Sequence, residues 1–514
     1  MAKLDLLLIN PGGRDLIYQD LGAELSAIEP PLWCRLIAGH IMDRGYSVQI
    51  VDSEAENKGP KSVAKDVCAL KPRLVGMVVF GHQPSASTQQ MAGATPTLQA
   101  IKELAPEQKV IIVGGHVSAL PERTLSEEAV DFACNGEGPV TIHQLLQALD
   151  GGEGIEKVEG LVWREDGKVR QNPSPALISD LDADLHGDVW HLLPMPIYRA
   201  HNWQCFGDLA SRRPYASIYT TLGCPYKCTF CCINAPFGTN RYRMRKPGRV
   251  VAEVDFLYNT YGVKTFKIID EMFVLNDRHV SGICEGLAAK PYAQELNFWA
   301  YARVDTVRPE RLALLRAAGI RWLALGIESG SAHVRDGAEK SLDHDDIVEI
   351  VKSIQNEGIS VIGNFIFGLP DDDLDTMQQT LDLAKDLNCE FANFYSAMAY
   401  PGSPLYRMAV QNGWELPERW SGFSQHSYDC KPLPTEKVSA AEVLRFRDNA
   451  FHQYFDNPAY LNMVAEKFGR ETRLHISDMT RTRLRRQILE RESPGGLRGA
   501  LRPDPANPFS IVSA

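Results

Sequence analysis

Aliphatic runs punctuate the first third of the chain: LDLLLIN (4–10), SVQIVDS (47–53), RLVGMVVFG (73–81), KVIIVGG (109–115) and VDFACNG (130–136), each followed by a segment with helical spacing. Unbroken apolar strands that alternate with helices predict a parallel sheet covered on both faces. A hairpin pattern, EGLVWREDGKVRQN (159–172), turns at Glu165-Asp166-Gly167 and leads into a Pro- and Asp-rich connector ending at LLPMPIY. The alternation then resumes as SIYTTLGC (217–224), TFKIID (265–270), NFWAYARV (297–304), WLALGIES (322–329), SVIGNFIFG (360–368) and EFANFYSAMAY (390–400). Six such units fall short of eight and predict an open, partial barrel with its functional groups at the carboxyl ends of the strands.

Beyond Tyr400-Pro401-Gly402-Ser403-Pro404 the pattern turns helical, most clearly in LRFRDNAFHQYFDNPAYLNMVAEKF (444–468) and TRTRLRRQILE (480–490). The expected fold class is therefore α/β: a doubly wound, Rossmann-like parallel sheet over 1–155, a linker with a β-hairpin over 156–205, a partial (β/α)6 barrel over 206–405, a mainly helical region over 406–492, and a Gly- and Pro-rich tail over 493–514. The basic run at 481–491 reads as a solvated helix face, and the tail as disordered unless pinned to the body.

Composition narrows the function classes. The chain has 514 residues, 44% of them hydrophobic, and a net charge of -11. That balance disfavours general nucleic-acid binding, which needs concentrated Lys and Arg. No stretch approaches the ~18 apolar residues of a membrane span, and the opening apolar run reads as a strand and not as a signal peptide. Eleven cysteines, an odd number without paired spacing, argue against a disulfide framework and for a reducing cytoplasm. No GxGxxG follows the first strand and no GxxxxGK[ST] occurs, so dinucleotide and P-loop readings lack their motifs.

The candidate chemistry starts at TLGCPYKCTFCCIN, where Cys224, Cys228 and Cys231 form a Cys-x3-Cys-x2-Cys triplet after a strand. Three thiolates leave one iron of a 4Fe–4S cubane open to a ligand. Zinc would need a fourth ligand, for which Cys232, His201 and Cys205 are the local candidates. Polar residues collect at the later strand ends: Asp270-Glu271, Arg303, Asp305, Glu328-Ser329 and, within a strand, Asn364. In the first sheet the strand ends carry Asn10-Pro11-Gly12-Gly13, Gly81-His82-Gln83-Pro84-Ser85, Gly114-Gly115-His116 and Gly136-Glu137-Gly138, where glycine permits close approach of a ligand or simply a tight turn.

The triplet, with Phe230 before its last cysteine, resembles the radical S-adenosylmethionine (radical SAM) enzymes. Together with the upstream sheet, Glu29-Pro30-Pro31-Leu32, Gly45-Tyr46-Ser47-Val48, Gly114-Gly115-His116 and Gly136-Glu137-Gly138, the chain resembles the cobalamin-dependent members of that family. The resemblance implies a 4Fe–4S cluster on Cys224, Cys228 and Cys231, SAM near Phe230, Asp270, Glu271, Arg303, Glu328, Ser329 and Asn364, and cobalamin over Pro11, Gly81–Ser85, Gly114–His116 and Gly136–Gly138. It also implies a low-potential electron donor such as flavodoxin or ferredoxin, and a small-molecule substrate. One departure stands out: many cobalamin domains of this type carry a DxHxxG loop whose histidine binds cobalt from below, whereas the loop after the first strand here, NPGGRDLIYQDLG, has no histidine. His82 and His116 are the substitutes to weigh. The activity implied first is methylation of an unactivated carbon. Oxidative cyclisation, ring contraction or hydration with the same cofactors, as in proteins resembling the anaerobic magnesium-protoporphyrin ester cyclase, is the second reading, and a non-catalytic corrinoid or iron–sulfur carrier the third.

Overall fold

The computed structural model describes residues 4–22, 25–83 and 86–492. Its first sheet has seven strands in the order β2-β1-β3-β4-β5-β6-β7. These are β1 Leu6–Asn10, β2 Val48–Asp52, β3 Leu74–Val78, β4 Val110–Val113, β5 Phe132–Cys134, β6 Leu161–Glu165 and β7 Lys168–Gln171. The first five are parallel. Strands β1, β3 and β4 are wholly buried, the environment that their unbroken aliphatic sequences require. The hairpin β6–β7 is more than a connector: it adds antiparallel to β5 and extends this sheet, because Leu161, Val162 and Trp163 have an apolar edge to cover.

The second sheet is wholly parallel, in the order β8-β11-β12-β13-β14-β15, with β8 Tyr215–Ile218, β11 Thr265–Ile268, β12 Asn297–Arg303, β13 Ile320–Glu328, β14 Ser360–Phe367 and β15 Phe391–Ser396. Between β8 and β11 lies a small hairpin, β9 Thr221–Leu222 with β10 Arg243–Met244. The strand expected over 217–224 thus ends at Ile218, because the chain must leave the sheet to form the cysteine loop, and the one expected to reach 400 ends at Ser396. The barrel floor is aromatic: Trp203, from the connector, meets Trp299 and Trp322 edge-on and packs beside Phe391.

The barrel does not close on itself, and the first domain fills the gap. Ile28 and Arg199 form an isolated antiparallel bridge, Glu29 accepts from Ser217 Oγ on edge strand β8 (3.0 Å), and Ile17 O accepts from Ser424 Oγ (2.8 Å) in the C-terminal region. Tyr18 sits against the ring of His426, which itself meets Arg447, a side chain bonded to β15 through Phe394 O.

The helical region departs from expectation in two places. The long pattern at 444–468 splits at Asn457, which caps Pro458–Phe468 through Ala459 N, so that Ala440–Phe455 and Pro458–Phe468 are separate helices. In the basic run only Gln487–Glu492 is helical. Arg486 turns inward, almost fully buried, to a forked bond with Asp448 and to Ser427 O, and this holds the preceding residues out of a helix. The tail at 493–514 lies outside the described residues. Among the described residues no helix is long and apolar enough to cross a membrane.

Candidate active site

The cysteine loop leaves β9 through Gly223, whose positive φ (+86°) and tight contact with the Arg241 carbonyl admit no side chain. Asn234 then braces it: its Nδ2 donates to Cys224 O (2.9 Å) and its Oδ1 accepts from Cys224 N (3.3 Å). Thr229 ties the far side, donating to Ala338 O and accepting from Leu405 N. Burial pushes the Cys224 thiol up to about 11 and raises Cys228 and Cys231 as well, while Lys340 and Arg303 pull Cys228 the other way. Buried thiols of this kind become thiolates when metal displaces their protons. Among the described residues no three His, Cys, Asp or Glu side chains converge closely enough to grip one ion, as zinc does with sulfurs about 2.3 Å away. The proposed fourth ligands are engaged elsewhere: Cys232 packs among Met398, Tyr400, Phe423 and Cys430, Cys205 lies in the barrel core, and His201 faces Glu29 at 3.7 Å. Three spaced thiols beside two cations suit an anionic polynuclear cluster.

Around this loop the strand ends sort themselves. Arg303 lies 3.6 Å from Cys228 Sγ, fixed by two 2.9 Å bonds to Asp305 and stacked 4.0 Å over the Tyr226 ring. Glu328 is a non-glycine residue at φ +67°, just past an irregularity in the β13–β14 ladder, and pairs with buried Lys340; Gly326 leaves the room that this pair occupies. Glu271 has no hydrogen bond or ion pair among the described residues, and burial lifts its carboxyl to about 8. Phe230 packs near Ile366, Leu369 and Tyr395. Three other expected residues are committed to the wall. Asp270 accepts from Thr220 N (2.6 Å) and Thr220 Oγ1; Ser329 bonds Thr380 Oγ1 (3.1 Å) and accepts from Ser331 N; Asn364 donates to Leu325 O and accepts from Asn393.

Opposite the loop lie the ends of the first sheet. Gly81, His82, Gln83 and Gly115 share one cleft with Gly223, Cys232, Asp270 and Glu271 of the barrel, about 570 Å³ including its open side. Its apolar wall is Trp33 stacked on Phe80 (4.0 Å) with Phe237 beyond. Gly114 presses on the Val79 carbonyl, and Ser87 Oγ accepts from His116 N (2.7 Å), so the β4 loop is held flat. His116 is sealed: its Nδ1 meets Thr88 Oγ1, Trp420 covers its ring edge-on at 4.4 Å, and burial drops its pKa to about 3. Glu137 is spent on Arg243 of the barrel hairpin (2.6 and 3.2 Å) and on Ile178 N, between Gly136 and Gly138, both at positive φ. Pro11 is buried, and Gly12-Gly13 are pressed against Gly93 of the helix Ala86–Leu104. Pro84 and Ser85 lie outside the described residues.

Under the cleft is a buried ionic cluster. Glu29 Oε2 lies 3.1 Å from Lys267 Nζ and 3.8 Å from His82 Nδ1, and Lys267 also donates to His82 O (2.9 Å) across the Trp299 face. Burial opposes the charge on Glu29, yet Lys267 above all outweighs it and holds the carboxyl far below its usual range. Lys267, Lys340, Tyr226 and Asn234 had not been singled out from the sequence. Only Lys267 carried a cue there, as a charge inside the aliphatic run TFKIID.

Comparison with known proteins gives this geometry its context. The Radical SAM superfamily signature matches residues 218–384 and that of the B12 binding domain matches residues 18–146. A protein described as an uncharacterized methyltransferase, from Pyrococcus horikoshii, is 28% identical over 82% of this chain and 87% of its own length. The anaerobic magnesium-protoporphyrin IX monomethyl ester cyclase of Rubrivivax gelatinosus is 26% identical over 89% of this chain and 78% of its own. In fold, the chain matches the radical S-adenosylmethionine methyltransferase TsrM from Kitasatospora setae, solved with cobalamin and a 4Fe–4S cluster, with a TM-score of 0.66 at 18% identity, over 89% of this chain and 90% of that one.

Proposed function

We propose that this chain, a radical SAM enzyme with a B12-binding domain, methylates an unactivated carbon of a small-molecule substrate. Its cofactors are a 4Fe–4S cluster, SAM and cobalamin. When bound, the cluster and SAM supply a radical that abstracts hydrogen, and cobalamin supplies a methyl group. The observation that carries the reading is the shared cleft: loops from the end of the first sheet face residues flanking the cysteine loop across one space.

The chain's own groups take complementary parts. Cys224, Cys228 and Cys231 hold the cluster, and Arg303, fixed by Asp305, offsets its negative charge. Glu271 is a half-buried carboxyl on the cleft wall with no hydrogen bond or ion pair among the described residues, so a cation in the cleft favours its ionised form; the ammonium of SAM fits that need. Glu328, steadied by Lys340, lies at the same mouth as a second polar contact, with Phe230 as an apolar surface beside it.

The test uses anaerobically reconstituted protein with a low-potential reductant, SAM bearing a deuterated methyl, and small-molecule extracts. The expected result is S-adenosylhomocysteine and 5'-deoxyadenosine together with a product that gains the labelled methyl. Deoxyadenosine with a product that only loses hydrogens overturns methylation and establishes the oxidative reading, which the resemblance to the ester cyclase favours.

A further inference from the structure

We propose that His82 supplies the axial nitrogen to the cobalt of bound cobalamin, with Glu29 as its orienting partner; the inference rests on the cobalamin part of the preceding reading. The order of the first sheet reverses between β1 and β3, and in open α/β sheets ligands lie in the crevice at that switch. The two loops that flank it behave differently. The β1 loop, which has no histidine, is occupied by helix packing, Gly12 and Gly13 touching Gly93. The β3 loop turns at Gly81, at φ +73°, and puts His82 on the wall of the cleft.

The ring is placed as a ligand would be. His82 Nδ1 is buried and has no hydrogen-bond partner among the described residues, and the charge it faces is Glu29, 3.8 Å away. About a quarter of the side chain is exposed, Nδ1 is not part of that exposure, and the residue lines the cleft. Ligating histidines donate their second nitrogen to a carboxylate, a backbone carbonyl or water, and Glu29, 3.8 Å from Nδ1, is the carboxylate within a small ring movement of that contact. Glu29 is itself held from three sides, by Ser217 Oγ, by Lys267 and by His201. His116, the other histidine at a strand end of this sheet, is shut behind Trp420 and Thr88 and has no such access.

The test is electron paramagnetic resonance of the full-length protein, isolated without oxygen with cobalamin and reduced to the Co(II) state. Two preparations are compared, one from cells fed ordinary histidine and one from cells fed histidine labelled with 15N. Axial ligation predicts a nitrogen triplet on the cobalt lines that becomes a doublet with the label, and that is lost in His82→Ala. A triplet indifferent to the label would come from the cofactor's own base and overturns the assignment, as does a spectrum without nitrogen splitting. Protein that retains no corrinoid overturns the cobalamin reading itself. The labelling comparison uses the unaltered chain and so does not depend on how a variant folds.

Discussion

The two faces of the cleft are braced in opposite ways. At the barrel mouth the bracing is mostly local: Arg303 leans on Asp305, Glu328 on Lys340, and the cysteine loop on Asn234. At the end of the first sheet it comes from elsewhere in the chain: Glu29 is held by Lys267, Glu137 by Arg243, and His116 lies under Trp420. Only the barrel side is close to self-sufficient. Substitutions at the sheet end should therefore loosen the docking of the two domains, whereas those at the partly exposed Arg303–Asp305 pair of the mouth should act on ligands and leave stability nearly alone.

The strongest test of that contrast is Lys267→Met, which strands Glu29 as a buried charge. A loss of about 3–5 kcal/mol in denaturant unfolding is expected. The double variant with Glu29→Gln should recover part of it, and a single variant as stable as the parent would break the comparison. Arg243→Ala leaves Glu137 without its forked partner and should cost about 2–3 kcal/mol, with faster limited proteolysis between the domains. Trp420→Ala should cost about 2 kcal/mol and open His116 to a histidine-modifying reagent. On the other side, Asp305→Asn should change stability by less than about 1 kcal/mol, since Asp305 is 39% exposed, while SAM binding weakens about tenfold and iron content holds.

The smallest effect is a matter of pH. Burial lowers the folded pKa of His82 from 6.5 to about 4, so the folded state carries fewer protons there than the unfolded one between those values. The stability this contributes is complete above about pH 6.5 and is lost as pH falls through about 4. The difference between the pH–stability profiles of the parent and His82→Asn should fall within that window.

Much of this architecture was legible in the chain. The first five strands and most of the barrel strands sit where the aliphatic runs placed them, because a buried parallel strand has to be apolar throughout; the run at 217–224 is the exception, its strand covering Tyr215–Ile218. The cysteine triplet was legible because its spacing is chemistry that no packing rule demands. The fate of the strand-end polar residues was not. Gly-His at 81–82 and Gly-His at 115–116 look alike in sequence, and the second is closed off by a tryptophan about three hundred positions later. Asp270 and Ser329 found partners in Thr220 and Thr380, which no local pattern announces. The basic run failed for a related reason: the carboxylate that draws Arg486 inward, Asp448, belongs to a different helix.

Ile17 and Glu29 belong to the first domain by sequence yet contact the open side of the second. A cut between residues 155 and 206 would therefore divide the molecule without yielding two modules. Anyone recombining such enzymes, grafting one corrinoid domain onto another barrel, would have to carry Lys267, Ser217 and the seam residues along as a matched set. Evolution faces the same constraint, and exchange of either half alone is penalised by a carboxylate that arrives with no cation to meet it.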